Sequence, residues 1–379
     1  MEKSGKVRGG RNESGAMGKR TQLYDIERGA GATFGEWFGR ELPARFSDPS
    51  LEYHAVRAGM GLVDQSYRGI LELRGKDSTR FLNGMVTNDV KSLKAGSGQY
   101  AAMLSVHGRL IADMRIYAVA DGFWLDLQEE LVPKVLQTID RHLIADQVEV
   151  RDRSADFVLL ALQGPAGLEL LAQLGIGGAK DLEEYQHLET TIEGKSVRVI
   201  RASETGEEGF VLVTEAGAAV AVWQGLLQAG RDHQLRPVGM EALNILRVEA
   251  GVPWYGIDMD ETNFLQEVGL EGRAASFSKG CYIGQETVVR IAHRGHVNWH
   301  LVGLLIGGSE VPEVGAKLRH DQREVGRITS AVHSPALNRP VALGYVRRER
   351  MAPGTILELR ASQGDTSAEI VSIPFYKRK

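Results

Sequence analysis

The chain has 379 residues, more than a single core usually organises, so the length favours two or three domains. Hydrophobic residues make up 43% and charged residues 25%, which excludes global disorder, and a net charge of −4 supplies no chain-wide basic field for nucleic acid. The single cysteine, Cys281, excludes an internal disulfide and a thiolate cage for a structural metal, and it points to a reducing, cytoplasmic compartment.

Residues 1–35 form a tail rich in Lys, Arg, Gly and polar side chains, expected to be disordered, with no apolar stretch of a secretory leader. No later segment approaches the roughly 18 uninterrupted apolar residues of a membrane span, so no membrane partner is expected. Residues 70–73 alternate as a strand, Gly75 follows, and Asp77 is placed to cap a helix whose apolar face is Phe81, Leu82, Met85 and Val86. Residues 100–117 predict two strands around His107 and Gly108, residues 123–127 a third, and Val135, Leu136, Ile139 and Leu143 a helix.

The same grammar returns from residue 157. An apolar strand over 157–162, Gly164-Pro165, a helix carrying Leu168, Leu171 and Leu174, a hairpin over 196–213 and a helix around 222–227 repeat the earlier order. Two strand-and-helix units with antiparallel hairpins predict an α+β body built from related halves, because hairpins remove the need for long parallel crossovers. A helix is expected over 237–249, with Pro237 near its start and Gly251 just past its end. From about residue 297 the texture changes to short β-rich runs separated by Gly, Pro and Asn, which predicts a small β-barrel or sandwich. The expected division is therefore a tail at 1–35, an α+β region at 36–296 and a C-terminal β-barrel at 297–379.

Neither a phosphate-binding loop G-x-x-x-x-G-K-[ST] nor a dinucleotide fingerprint occurs, and no G-x-S-x-G or H-E-x-x-H is present. A helix over 282–292 would put Cys281 at its N-terminus, where exposed N–H groups favour the thiolate; the alternative is a small buried hydrophobe. His293, His296 and His300 straddle a helix-to-strand junction without a carboxylate, so no metal site is assigned and the run is taken as a basic linker. Asp113 interrupts a strand, where it can carry a proton or orient an amine, the alternative being an outward-facing residue. The acidic hairpin at 204–209 can offer a carboxylate to an amino-pyrimidinone edge. Arg247 and Glu249 form either an ion pair or, with Trp254 and Tyr255, an edge of cations and aromatic faces for a flat anionic ligand.

The segment Lys279-Gly280-Cys281-Tyr282-Ile283-Gly284-Gln285-Glu286 resembles the K-G-C-Y-x-G-Q-E signature of the folate-binding YgfZ proteins, relatives of the aminomethyltransferase (T-protein) of the glycine cleavage system. Arg290, His293, Arg294 and Gly295 are similar to the basic stretch that follows in that family. Residues 61–66, 81–82, 87–90 and 246–251 are similar to the wider superfamily, and the likeness runs from about residue 36 to the end. The resemblance implies three subdomains arranged as a ring around a central opening, the last a β-barrel, with tetrahydrofolate or a derivative in the middle. It implies a role in assembly or repair of iron–sulfur proteins, with those assembly or client proteins as partners and Cys281 as the reactive group. Glu207 then becomes the residue that grasps the pterin, joined by Arg247, Tyr100, Tyr255 and Lys279 in the cofactor-binding set. Asp113 falls where the T-protein branch carries G-G-x-x-D-D, here Gly108-Arg109-Leu110-Ile111-Ala112-Asp113. With one acid replaced by Ala112, the resemblance favours binding over turnover, and folate-dependent aminomethyl or methyl transfer through Asp113 is the alternative.

Overall fold

A computed structural model describes residues 18–361 and 364–378. Residues 1–17 of the expected tail lie outside the described residues. From Lys19 onward the expectation of disorder gives way to structure: strands Lys19–Arg20, Arg40–Arg45 and Thr33–Trp37 form a three-stranded sheet in that order, with the helix Tyr24–Gly29 between. Leu23 explains it, being fully buried in the main core beside Leu62 and Leu160.

The two related halves are present as two mixed layers of sheet and helix. In the first, strand Arg68–Arg74 leads into the helix Ser78–Met85, then strands Gly98–Leu104, Leu110–Val119 and Gly122–Gln128, the helix Val132–His142 and strand Glu149–Asp152. In the second, Phe157–Gln163 leads into the helix Gly167–Gln173, then His187–Ile192, Lys195–Arg201, Gly209–Glu215, the helix Ala219–Ala229 and Leu235–Pro237. The spatial order is also repeated: within each sheet the three hairpin-linked strands come first, then the opening strand, then the last one. The second sheet differs by admitting Met60–Asp64 between its opening and closing strands.

One glycine position shows why the repeat recurs in sequence. Gly75 and Gly164 each end the opening strand of their half with positive φ, 119° and 137°. A side chain at either would come within 2.1 Å of the Gln147 carbonyl oxygen or 2.4 Å of that of Gly59. Only glycine makes this tight strand-to-helix corner. Asp77 does stand just before its helix, but its carboxylate accepts the Gln147 N–H at 2.8 Å and makes no cap bond to the helix itself. Pro237 ends an edge strand that pairs parallel to Met60–Asp64, so the following helix starts at Met240.

The C-terminal strands close into a six-stranded barrel, in the order Trp299–Ile306, Arg339–Arg347, Arg323–Ser334, Lys317–His320, Ile356–Ala361 and Gly364–Val371. Closure leaves no open edge. Leu304, Leu318, Val346, Leu359 and Ile370 fill its interior. No described helix is long and apolar enough to cross a membrane.

Candidate functional site

Strand alternation sorts the first sheet into an oily and a polar face. Ala112, Met114 and Ile116 pack into the core with Leu71, Leu73 and Met103, so the odd-numbered residues Asp113, Arg115 and Tyr117 point the other way. Arg68, Tyr100 and Asp126 share that second face through the strand registers. The position of the missing acid, Ala112, therefore belongs to the apolar face, and Asp113 is the residue presented to the polar side.

The Tyr100 hydroxyl donates to Asp113 Oδ2 at 2.8 Å. Both side chains are half-buried, which removes water without sealing them off. Burial pushes the Asp113 carboxyl above its ordinary value, while the Arg68 charge, the Tyr100 hydrogen bond and the Arg115 charge act against it. Burial and the adjacent Asp113 push the Tyr100 phenol well up in turn. The Arg273 guanidinium lies 5.3 Å from the Tyr100 ring centre and 5.6 Å from that of Tyr185, and it donates to the Tyr185 hydroxyl and to Glu184 at 2.5 Å. Asn88 Nδ2 ties this corner together by donating to the carbonyls of Tyr100 at 2.9 Å and Arg273 at 3.3 Å. Tyr185 sits at φ 65°, a conformation that a bulky residue rarely adopts and that the surrounding contacts must hold.

A buried charge network lies on the same face. Arg115 donates to Glu204 and, at 3.4 Å, to Asp126, while Arg68 donates to the Asp126 carboxylate and Tyr117 donates to it at 3.1 Å. Trp254 Nε1 and the Tyr67 hydroxyl complete Glu204 at 3.3 and 3.5 Å. Burial alone would raise the Glu204 carboxyl, yet the Arg115 and Arg68 charges hold it below its ordinary range. Phe38 closes the aromatic wall, 4.9 Å from Tyr67 and 5.3 Å from Trp254.

Of the residues expected from sequence, Tyr100 and Asp113 are brought together and Tyr255 lies near them, close enough to feel the Asp113 charge; the others go elsewhere. Glu207 does not join the pair: its Oε1 accepts Arg57 Nη1 at 2.9 Å and its Oε2 accepts Arg378 Nε at 2.5 Å, so both oxygens are held by guanidinium groups. The acid of that hairpin that meets the polar face is Glu204. Arg247 is buried against Asp258 and donates to Ser330 at 2.6 Å and Asn244 at 2.9 Å, and Glu249 pairs with Arg57 at 2.7 Å, so the Arg247–Glu249 pairing is replaced. Arg247 does lie over the Trp254 ring, at 4.6 Å, but as core packing. Tyr255 is buried, its hydroxyl 3.5 Å from the Leu110 carbonyl oxygen, three residues before Asp113. Lys279 Nζ donates to the carbonyls of Asn83, Val86 and Asn88, each at 2.7 Å, and burial pushes it down to about 8. It is a structural clasp.

Cys281 is exposed, which removes the reading as a buried hydrophobe. The helix after it begins at Gln285, because Gly284 takes φ 83° and its Cα packs where a side chain would meet the Ser105 carbonyl oxygen at 2.6 Å. Cys281 therefore precedes that helix and does not cap it. His293 meets the Phe277 ring edge-on at 6.3 Å. Arg68, Arg115, Asp126, Tyr185 and Arg273 stand outside the residues expected from sequence, and Glu204 takes the place expected of Glu207 within the acidic hairpin; the alternation Asp113, Arg115, Tyr117 within an apolar strand is the signal that marks Arg115.

Residues 23–279 match the family described as GCVT N-terminal domain, and residues 300–377 match the glycine cleavage T-protein C-terminal barrel domain. The chain is similar to the aminomethyltransferase of Bacillus licheniformis, 32% identical over 96% of this chain and 100% of that protein. It is also similar to that of Symbiobacterium thermophilum, 33% identical over 95% and 97%. Among solved structures, the glycine cleavage system aminomethyltransferase T from Bartonella henselae superposes with a TM-score of 0.88 at 25% identity, covering 95% of this chain and 99% of that one.

Proposed function

The chain belongs to the glycine cleavage T-protein family, which is tetrahydrofolate-dependent, and from that premise we propose that it is a folate-dependent aminomethyltransferase whose proton-handling group is Asp113. The observation that carries this reading is the Tyr100–Asp113 pair, a carboxyl raised by burial and held in one orientation by a phenol.

The residues fit a reduced folate in their chemistry. Tyr100 and Tyr185 offer aromatic rings, Arg273, which is shared with Glu184, adds positive charge at their edge, and Asp113 offers an acceptor to a ring N–H. Tetrahydrofolate, when bound, supplies the ring amines that take up a one-carbon unit. Asp113 then holds or moves a proton at Oδ, Tyr100 fixes the carboxyl, and the Arg68 and Arg115 charges keep its affinity for protons from rising further. Glu204 is assigned the task of holding Arg115 in place, because its own oxygens are already engaged.

The comparisons back this reading over the expected iron–sulfur role, since the similar proteins are aminomethyltransferases. One observation still favours a YgfZ-type second role: the thiol of Cys281 is exposed within its Lys-Gly-Cys-Tyr segment, and a lone thiol suits a reducing, cytoplasmic setting.

One set of variants separates the two. Tetrahydrofolate binding is read by calorimetry, and turnover by methylenetetrahydrofolate formation from an aminomethylated carrier. Asp113→Asn is expected to bind folate within a few-fold of wild type while turnover falls roughly 10²- to 10⁴-fold. Asp113→Asn turning over at the wild-type rate would remove the assignment. Cys281→Ala should leave turnover untouched, and unchanged iron–sulfur enzyme activities in cells carrying it would remove the second role.

A further inference from the structure

A cavity of about 420 Å³ lies away from Asp113, at the junction where the α+β body meets the barrel. Arg109, from the hairpin turn ahead of Asp113, forms one wall, and Arg327 and Tyr345, from adjacent barrel strands, form another. Neither Tyr100, Asp113, Tyr185 nor Arg273 lines it. Its volume is that of a small-molecule site and far exceeds what a bare ion fills.

The charges in the walls are unequally compensated. Of the two carboxylates present, Glu267 accepts the Phe264 N–H at 3.0 Å and lies 3.7 Å from Arg109, and Glu324 pairs with Lys317 at 2.8 Å. Arg327 forms no salt bridge among the described residues, though its charge is one of those that hold the Glu324 carboxyl below its ordinary value; its guanidinium rests 5.8 Å from the centre of the Tyr345 ring. Tyr345 is only 3% exposed, and its hydroxyl has no hydrogen-bond partner among the described residues, a costly arrangement for a buried polar group. Asn263, also buried, spends its Oδ1 on the Asp260 N–H at 3.0 Å, which leaves the amide nitrogen as a donor. Phe264, stacked 3.5 Å beneath the Arg109 guanidinium, and Trp299 supply flat apolar surface.

A guanidinium without a salt bridge, an orphaned hydroxyl and a spare amide donor, set between aromatic rings, match one kind of ligand. We infer that this junction cavity binds a small aromatic oxyanion, a carboxylate or a phosphate ester, with Arg327 as its principal cation. The site is separate from the folate assignment and stands without it. The Arg109 wall is continuous with the strand that carries Asp113: Leu110 donates its N–H to the Asn263 carbonyl at 3.1 Å, and Arg109 bridges to Phe264 across the same gap.

The test is calorimetric titration of the full chain with benzoate and with phenyl phosphate, which share a ring and differ in the anion. At least one probe is expected to saturate below about 10 mM. Arg327→Gln should weaken it about tenfold or more and Tyr345→Phe several-fold, while Asp113→Asn and saturating tetrahydrofolate leave it unchanged. The stronger probe identifies the anion. Tyr345→Phe removes only a group without a partner, so its fold persists and its loss of affinity reports the cavity itself. Absence of saturation by both probes, or equal binding by wild type and Arg327→Gln, overturns the inference.

Discussion

Glu27 illustrates how one residue sets a pH dependence for the whole chain. It is fully buried, and neither carboxylate oxygen has a hydrogen-bond partner among the described residues. Burial, with the nearby Asp64 charge, pushes its pKa from 4.5 up to about 10. The folded protein therefore binds a proton that the unfolded chain releases above pH 4.5, and stability falls as pH rises from there towards 10. The cost is roughly 3 kcal/mol at pH 7, at about 1.4 kcal/mol for each pH unit. Glu27→Gln should remove this slope: denaturant midpoints of the two proteins, measured from pH 4 to 9, are expected to diverge in favour of the variant as pH rises. Parallel curves would show that Glu27 is not held protonated.

At the scale of elements, Lys279 clasps the end of the helix Ser78–Met85 to the segment before Cys281, satisfying the Asn83 and Val86 carbonyls with the C-terminal partner that a helix dipole favours. Lys279→Met should leave three carbonyls without this donor and cost several kcal/mol, read as a lowered thermal midpoint with the barrel still folded. The elements themselves were largely legible in the sequence. Period-two and helical patterns in 70–143 recur in 157–227, and they reflect the same burial on one face in both halves. What escaped was set by contacts remote in sequence. Asp113 could be singled out because a carboxylate in an apolar strand violates local propensity. Nothing local tells Glu204 from Glu207: the partner that selects Glu204 is Arg115, 89 residues away, and the one that holds Glu207 is Arg57, 150 residues away. The start of the helix at Gln285 was obscured likewise, because the Gly284 turn fits against a hairpin of the first half.

For the whole molecule, the joint between body and barrel is concentrated at Asp258. Its carboxylate accepts from Arg247, from the Trp254 N–H at 3.1 Å, and from the barrel hydroxyls of Thr329 and Ser330 at 2.6 Å each. A second tie runs through Glu249, which accepts from Tyr53 at 2.7 Å, from Arg57 and from Ser334 of the barrel. Asp258→Ala strands a buried guanidinium and is expected to cost about 3–5 kcal/mol. Adding Arg247→Met should recover part of that loss, because the stranded charge is then gone. Chemical denaturation of both single variants and the double variant measures the coupling, and a double loss equal to the sum of the two single losses would mean that the side chains act independently.

The end of the chain takes part in this joint as well. Arg378 reaches back to Glu207 and to the Arg57 carbonyl, and the Arg57 guanidinium lies 4.0 Å from the centre of the Tyr376 ring. A purification handle or reporter fused directly after this segment would pull against the clamp that neutralises Glu207. Ligand measurements are therefore best made with Arg378 left unencumbered, since its guanidinium is one of the two that hold Glu207.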